Sequence, residues 1–119
     1  MGYGTMLRSV RIEKEMSLRE LSLRTDIDVA YLSRVERETI NPPQNEELID
    51  SINSALEIDE KLSLSLKDQA SIDNKKIPSD IATNLSLVEG FPLFLRTVSN
   101  KKIDSEKLKK LTEFINERY

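Results

Sequence analysis

The residues best equipped for chemistry in this chain are arginines. Arg34 and Arg37 stand one turn apart in "VAYLSRVER", beside Val29, Leu32 and Val35, whose three-residue spacing marks the face of a helix. The groups that make and break bonds are missing. There is no cysteine, hence neither a disulfide framework nor a thiolate metal site. There is no histidine, which removes the commonest metal ligand and the usual acid–base group at neutral pH. No nucleophile has an evident base and no glycine loop offers to cradle a phosphate. The expectation is a binding protein, not an enzyme, with no cofactor and no metal.

The arginines belong to a longer stretch, "LRELSLRTDIDVAYLSRVER", residues 18–37, in which two short amphipathic segments hinge on "TDID". Helices of two turns are marginal alone. Neighbours must therefore hold this pair, leaving one surface for use. Two helices joined by a turn of about four residues form the helix-turn-helix geometry, whose second helix lies in the major groove of DNA.

The rest of the chain supplies helices to hold them. In "GTMLRSVRIEKEM", Leu7 and Val10 face inward. "SLRE" reads as a capping box, with Ser17 bonding the amide of Glu20 and Glu20 reaching back to that of Ser17. It opens a second helix that buries Leu18 and Leu21 and ends near Thr25. Asp28 caps a third, with Leu32 and Val35 inward and Arg34 and Arg37 on the flank. The prolines of "RETINPPQNEE" end it. Leu48, Ile49, Ile52, Ala55 and Leu56 then follow a helical period from about Glu46. "IDEKLSLSLKDQA" is ambiguous between strand and helix at Leu62–Leu66; with no partner strand in sight, a fifth helix is favoured.

"SIDNKK", residues 71–76, reads as a linker between a domain at 1–70 and a module at 77–119. Beyond it, "IPSDIATNLSL" and "FPLFLRTVSN" are helical with Pro78 and Pro92 near their starts. "DSEKLKKLTEFINERY", capped by Asp104, puts Leu108, Leu111, Phe114 and Ile115 on one side. The fold class is all-α.

Composition agrees: 119 residues are 38% hydrophobic, 33% charged and 5% aromatic, with three glycines, which suits a helical protein and argues against a β-sandwich. No apolar run approaches the roughly 20 residues of a membrane span, and the start lacks a signal-peptide pattern. A cytoplasmic location in a bacterium, or a phage origin, is expected, with no membrane partner. The net charge of −3 gives no general attraction to nucleic acid. Residues 1–70 hold nine Lys/Arg against fourteen Asp/Glu, and 71–119 nine against seven. Any contact with DNA must rest on local placement.

Residues 7–57 resemble the Xre/Cro/CI family of helix-turn-helix repressors. "LRSVRIEKEMSLRELSLRTDIDVAYLSRVERETINPP" keeps the family's small and apolar residues in register, and "NEELIDSINSALEID" matches its closing helix. The resemblance implies a five-helix, lambda-repressor-like DNA-binding domain followed by a small three-helix dimerisation module. It places Ser22 where the two helices cross. Asp26 stands where relatives carry glycine, at a position needing positive φ, which aspartate tolerates. Arg11 and Glu36 match a salt bridge between helices one and three. Bases would be read by Val29, Ala30, Tyr31, Ser33, Arg34 and Arg37, with Arg34 suited to a bidentate contact with guanine O6 and N7. Phosphates would be met by Arg8, Ser17, Arg19, Asn41, Gln44 and Asn45. Leu18 stands where many relatives have a phosphate-contacting glutamine, so that backbone contact is missing; with few charged anchors, a shallow salt dependence is expected.

The second half, through "FPLFLRTVSNKKIDSEKL", resembles repressors paired with ImmA/IrrE-type metallopeptidases. That implies a repressor inactivated by cleavage at Leu95–Arg96. The three amphipathic helices, too few for an enzyme, themselves suggest a homodimer on a double-stranded, palindromic operator, built through Phe91, Leu93, Phe94, Leu95, Val98, Leu108, Leu111, Phe114 and Ile115. The regulated genes would be those of a phage, mobile element or stress response. Two other readings stay open: an antitoxin that binds a toxin through residues 77–119, and a protein-interaction adaptor that does not touch DNA.

Overall fold

The computed structural model describes residues 2–119, and among these every regular element is helical. The chain divides after Pro78 into two compact units.

In the first unit α1 (Tyr3–Glu13), α2 (Leu18–Thr25), α3 (Val29–Glu36), α4 (Glu46–Leu56) and α5 (Glu60–Asp73) enclose one core. α1 packs on α3 and α5, α2 on α3 and α4, and α4 on α5. Four of the five starts are fixed by a side chain of the local sequence. Ser17 accepts from the Glu20 amide at 3.0 Å, Asp28 from Tyr31 at 3.1 Å, Asn45 from Glu47 at 2.9 Å and Asp59 from Leu62 at 2.8 Å. Each bond satisfies an amide that the first turn leaves without a helical partner. The reciprocal half of the expected capping box gives way to another contact. Glu20 turns its carboxylate to Arg24, one turn on, at 2.8 Å.

Leu7, Leu21, Leu32, Val35, Ile49, Ile52 and Leu56 are buried as their periodicity requires. Each large apolar side chain withdrawn from water contributes about 1.5–3 kcal/mol. Tyr3, Met16, Ile27, Leu66 and Ala70 join them. Gly4 lies where α1 meets the end of α3: a Cβ there would fall 2.0 Å from the Val35 carbonyl oxygen, so only glycine allows this approach.

The ambiguity at Leu62–Leu66 resolves to helix. Leu66 and Ala70, four apart, are buried, while Leu64, two residues before Leu66, is exposed. α5 then continues to Asp73, so Ser71–Asp73 of the stretch read as a linker are its last residues. α1 stops at Glu13, three residues short of the expected end, because Glu15 takes positive φ and turns Met16 into the core.

The second unit holds α6 (Ser79–Leu85), α7 (Phe91–Asn100) and α8 (Ser105–Arg118). Pro92 occupies the first turn of α7, where its missing N–H costs nothing. Asp104 caps α8 by accepting from the Lys107 amide at 2.9 Å. No residue of these three helices is buried.

Candidate nucleic-acid interface

The connection between α2 and α3 is locked by short-range polar bonds. The Ser22 hydroxyl donates to the Ile27 carbonyl. Thr25 donates its hydroxyl to the Leu21 carbonyl at 2.8 Å and accepts from the Ile27 amide at 3.3 Å. Between them Asp26 sits at φ 58°, the left-handed conformation the turn demands. Ile27, the one apolar residue of the turn, is buried beneath it. A serine at position 22 therefore does more than stay small; it closes the turn.

α3 is held from behind by an ion pair. Arg11 on α1 donates Nε to one carboxylate oxygen of Glu36 at 2.6 Å and Nη2 to the other at 2.9 Å, while Nη1 donates to the Met16 carbonyl at 2.8 Å. Only 4% of the Glu36 side chain is exposed, so this is a bidentate pair in a nearly dry setting. The hydrogen bond to Glu36 holds the Arg11 guanidinium above its ordinary pKa, against the opposing effect of burial. Nearby, burial pushes the Tyr3 phenol up, and its oxygen has no hydrogen-bond partner.

With Leu32, Val35 and Glu36 committed inward, the other flank of α3 faces outward. Val29, Ala30, Arg34 and Arg37 are exposed; Tyr31 and Ser33 are half-buried. Burial raises the Tyr31 phenol too. Arg37 folds its Nε back to the Ser33 carbonyl at 3.3 Å. Ser17 and Arg19, at the start of α2, are exposed, as is Arg8 on α1. Leu18 is half-buried against the core. Asn41, Gln44 and Asn45 are exposed in the segment that follows α3, with Pro42 and Pro43 buried between them. The Asn45 side-chain oxygen, Oδ1, is already occupied in capping α4, accepting from the Glu47 amide.

Three residues of this region carry structure that sequence reasoning passed over. Glu38, just past α3, accepts from the amides of Gly2 at 2.9 Å and Thr5 at 3.1 Å and from the Thr5 hydroxyl at 3.0 Å. Those bonds from the Thr5 amide and hydroxyl hold its carboxyl below the usual carboxylate range. Asp73 accepts from the Tyr3 amide at 2.7 Å, and Asn74 donates to the Pro43 carbonyl at 3.2 Å. The signal was "GYGT": a helix start with no capping side chain and no acid in its first turn needs partners from elsewhere.

In the second unit Leu93, Phe94, Leu95, Leu108, Leu111, Phe114 and Ile115 are exposed, and Phe91 and Val98 half-buried. The rings of Phe91 and Phe94 stack at 6.4 Å, and Arg118 lies 4.9 Å over Phe114. Leu95 and Arg96 fall in the middle of α7. No helix among the described residues is long and apolar enough to cross a membrane, and none of their acidic groups clusters as a metal site would.

Among known proteins, residues 7–50 match the family model described as Helix-turn-helix. No curated protein and no solved structure matches the chain. The matched span runs from the middle of α1 into α4 and contains the whole α2–turn–α3 unit. Residues 7–50 thus form a helix-turn-helix domain of the Xre/Cro/CI type, the kind carried by DNA-binding transcription regulators.

Proposed function

We propose that the chain is a sequence-specific transcriptional repressor that binds a palindromic operator as a homodimer in the cytoplasm of a bacterium, encoded by the chromosome, a phage or a mobile element. The observation that carries this reading is the exposed flank of α3, braced behind by Arg11–Glu36, inside a span that matches the helix-turn-helix family. Arg34 forms two hydrogen bonds with a guanine edge; Val29, Ala30 and Tyr31 meet thymine methyls, with Ser33 and Arg37 beside them. Arg8, Ser17, Arg19, Asn41, Gln44 and Asn45 contact phosphates and set the register.

A single reading helix covers few base pairs, and affinity comes from pairing two across half-sites about one helical turn apart. The exposed apolar side chains of α7 and α8 support residues 77–119 as the dimerisation module, since such a surface gains a core by association. Cleavage at Leu95–Arg96 by a partner metallopeptidase would remove α8 and part of α7, and with them the dimer. A second reading draws on charge: 21 acidic against 18 basic residues suits a protein-interaction adaptor, or an antitoxin gripping a toxin through residues 77–119.

The test is selection from a pool of random duplexes by the full chain, followed by anisotropy titrations with wild type and Arg34→Ala. An enriched inverted repeat, bound about 1–3 kcal/mol more weakly by the variant with relaxed preference at one position, is expected. A folded chain that enriches no sequence at low salt favours the protein-binding reading.

A further inference from the structure

The end of α5 reaches the segment that follows α3 by a route no local sequence pattern announces. That segment, residues 38–45, contains Pro42 and Pro43, which have no N–H to donate. Its middle can be anchored through the backbone only by carbonyl oxygens, and one of these, on Pro43, accepts from Asn74 Nδ2 at 3.2 Å. The other amide atom of Asn74, Oδ1, is buried without a partner, a polar cost that an apolar residue would avoid. Its neighbour Asp73 accepts from the Tyr3 amide at 2.7 Å and from Gln69 Nε2 at 2.9 Å. Glu38, at the opposite end of the segment, holds the amides of Gly2 and Thr5. It does so from φ 59°, a conformation uncommon outside glycine. The start of α1, the end of α5 and the segment after α3 are thus tied at one place.

We propose that Asn74 and Asp73 are positioning residues that hold segment 38–45 against α1 so that Asn41, Gln44 and Asn45 meet the DNA phosphates in one register. The inference rests on the DNA-binding reading above and adds where that grip is controlled. The chain leaves α5 through these same residues on its way to α6. A partner or a cut that disturbs residues 74–78 would therefore loosen the phosphate contacts and leave base reading by α3 intact.

The experiment uses the full chain, duplexes it has itself selected from a random pool, and two readouts: amide hydrogen exchange and the salt dependence of affinity. Asn74→Ala is expected to speed exchange at Ile40, Asn41, Gln44 and Asn45 while α2 and α3 keep wild-type rates. Affinity should fall about three- to tenfold. The slope of log K against log salt should stay unchanged, because Asn41, Gln44 and Asn45 carry no charge and release no counterions, and base preference should not change. Asp73→Ala should behave alike, and Asp73→Asn, which keeps an acceptor for the Tyr3 amide, should stay near wild type. Unchanged exchange at residues 40–45 in Asn74→Ala overturns the proposal. So does an affinity loss accompanied by faster exchange throughout α2 and α3, which marks general destabilisation. If the exchange responds but the wild-type chain selects no DNA, the DNA reading is what has failed, and the positioning role falls with it.

Discussion

At the scale of single residues, the position of α3 depends on a charge that cannot stand alone. Glu36 neutralises Arg11 in a setting where only 12% and 4% of the two side chains meet water. Removing one member of such a pair leaves the other buried and unpaired, which costs about 3–5 kcal/mol. Glu36→Ala should lower stability by that amount in urea denaturation; an unchanged midpoint would show that Arg11 finds water or another acceptor. This pair was legible only through the family resemblance, because residues 25 apart announce nothing by spacing. Asp26 was legible through the same resemblance, which sets it where the turn needs positive φ. A turn that needs positive φ narrows the choice of residue, and aspartate is among the few that tolerate it. Glu38 and Asp73 were not legible: each bonds α1 from 33 to 36 and 70 residues away, and only the packed helices bring them there.

At the scale of elements, the helices with local caps were the ones whose starts could be read, while α1 depends on its neighbours. That dependence has a pH consequence. The Glu38 carboxyl is held below the ordinary carboxylate range because its charged form accepts bonds from the Thr5 amide and hydroxyl and from Gly2. A lowered folded pKa means that its contribution is fully present above the ordinary carboxylate range and disappears as pH falls through the lowered value. Protection of the Thr5 amide, taken relative to its intrinsic exchange rate at each pH, should fall over that lower range, and Glu38→Gln should abolish this loss. Titration of the Thr5 amide shift at the ordinary glutamate value would contradict the bonding. The two readings of Leu62–Leu66 were inseparable by pattern, since residues two apart and four apart both carry leucine. The structure separates them through Asp59, which caps the helix, and through the i, i+4 pair Leu66 and Ala70 in the core. The same helix overruns the polar stretch after Ala70 because its last turn still has work: Asp73 holds the Tyr3 amide.

At the scale of the whole molecule, one unit has a core and the other does not. Residues 79–119 form three well-defined helices with none of their side chains buried, and α7 leaves Leu93 at 68% and Phe94 at 54% exposed. The proposed dimer follows from that surface, and Leu95→Glu should turn a chain of twice 13.7 kDa into one of 13.7 kDa by light scattering. A variant that keeps the dimer mass would move the interface away from α7. With a net charge of −3, the proposed recognition would rest on the few cations around α3 and not on a general field. The fold of the first unit could be read far into its detail because periodicity, caps and turn residues all pointed the same way. The second unit showed only its helices, and none of their residues is buried.

The central claim is that two copies of α3 read two half-sites. It is tested most directly by the stoichiometry and sequence of the DNA that the full chain selects from a random pool. Two chains per duplex on an inverted repeat, with half-site centres about 10 base pairs or a multiple apart, are the expected result. A well-folded chain that recovers no sequence at low salt, or that binds one copy per duplex without preference, would contradict it.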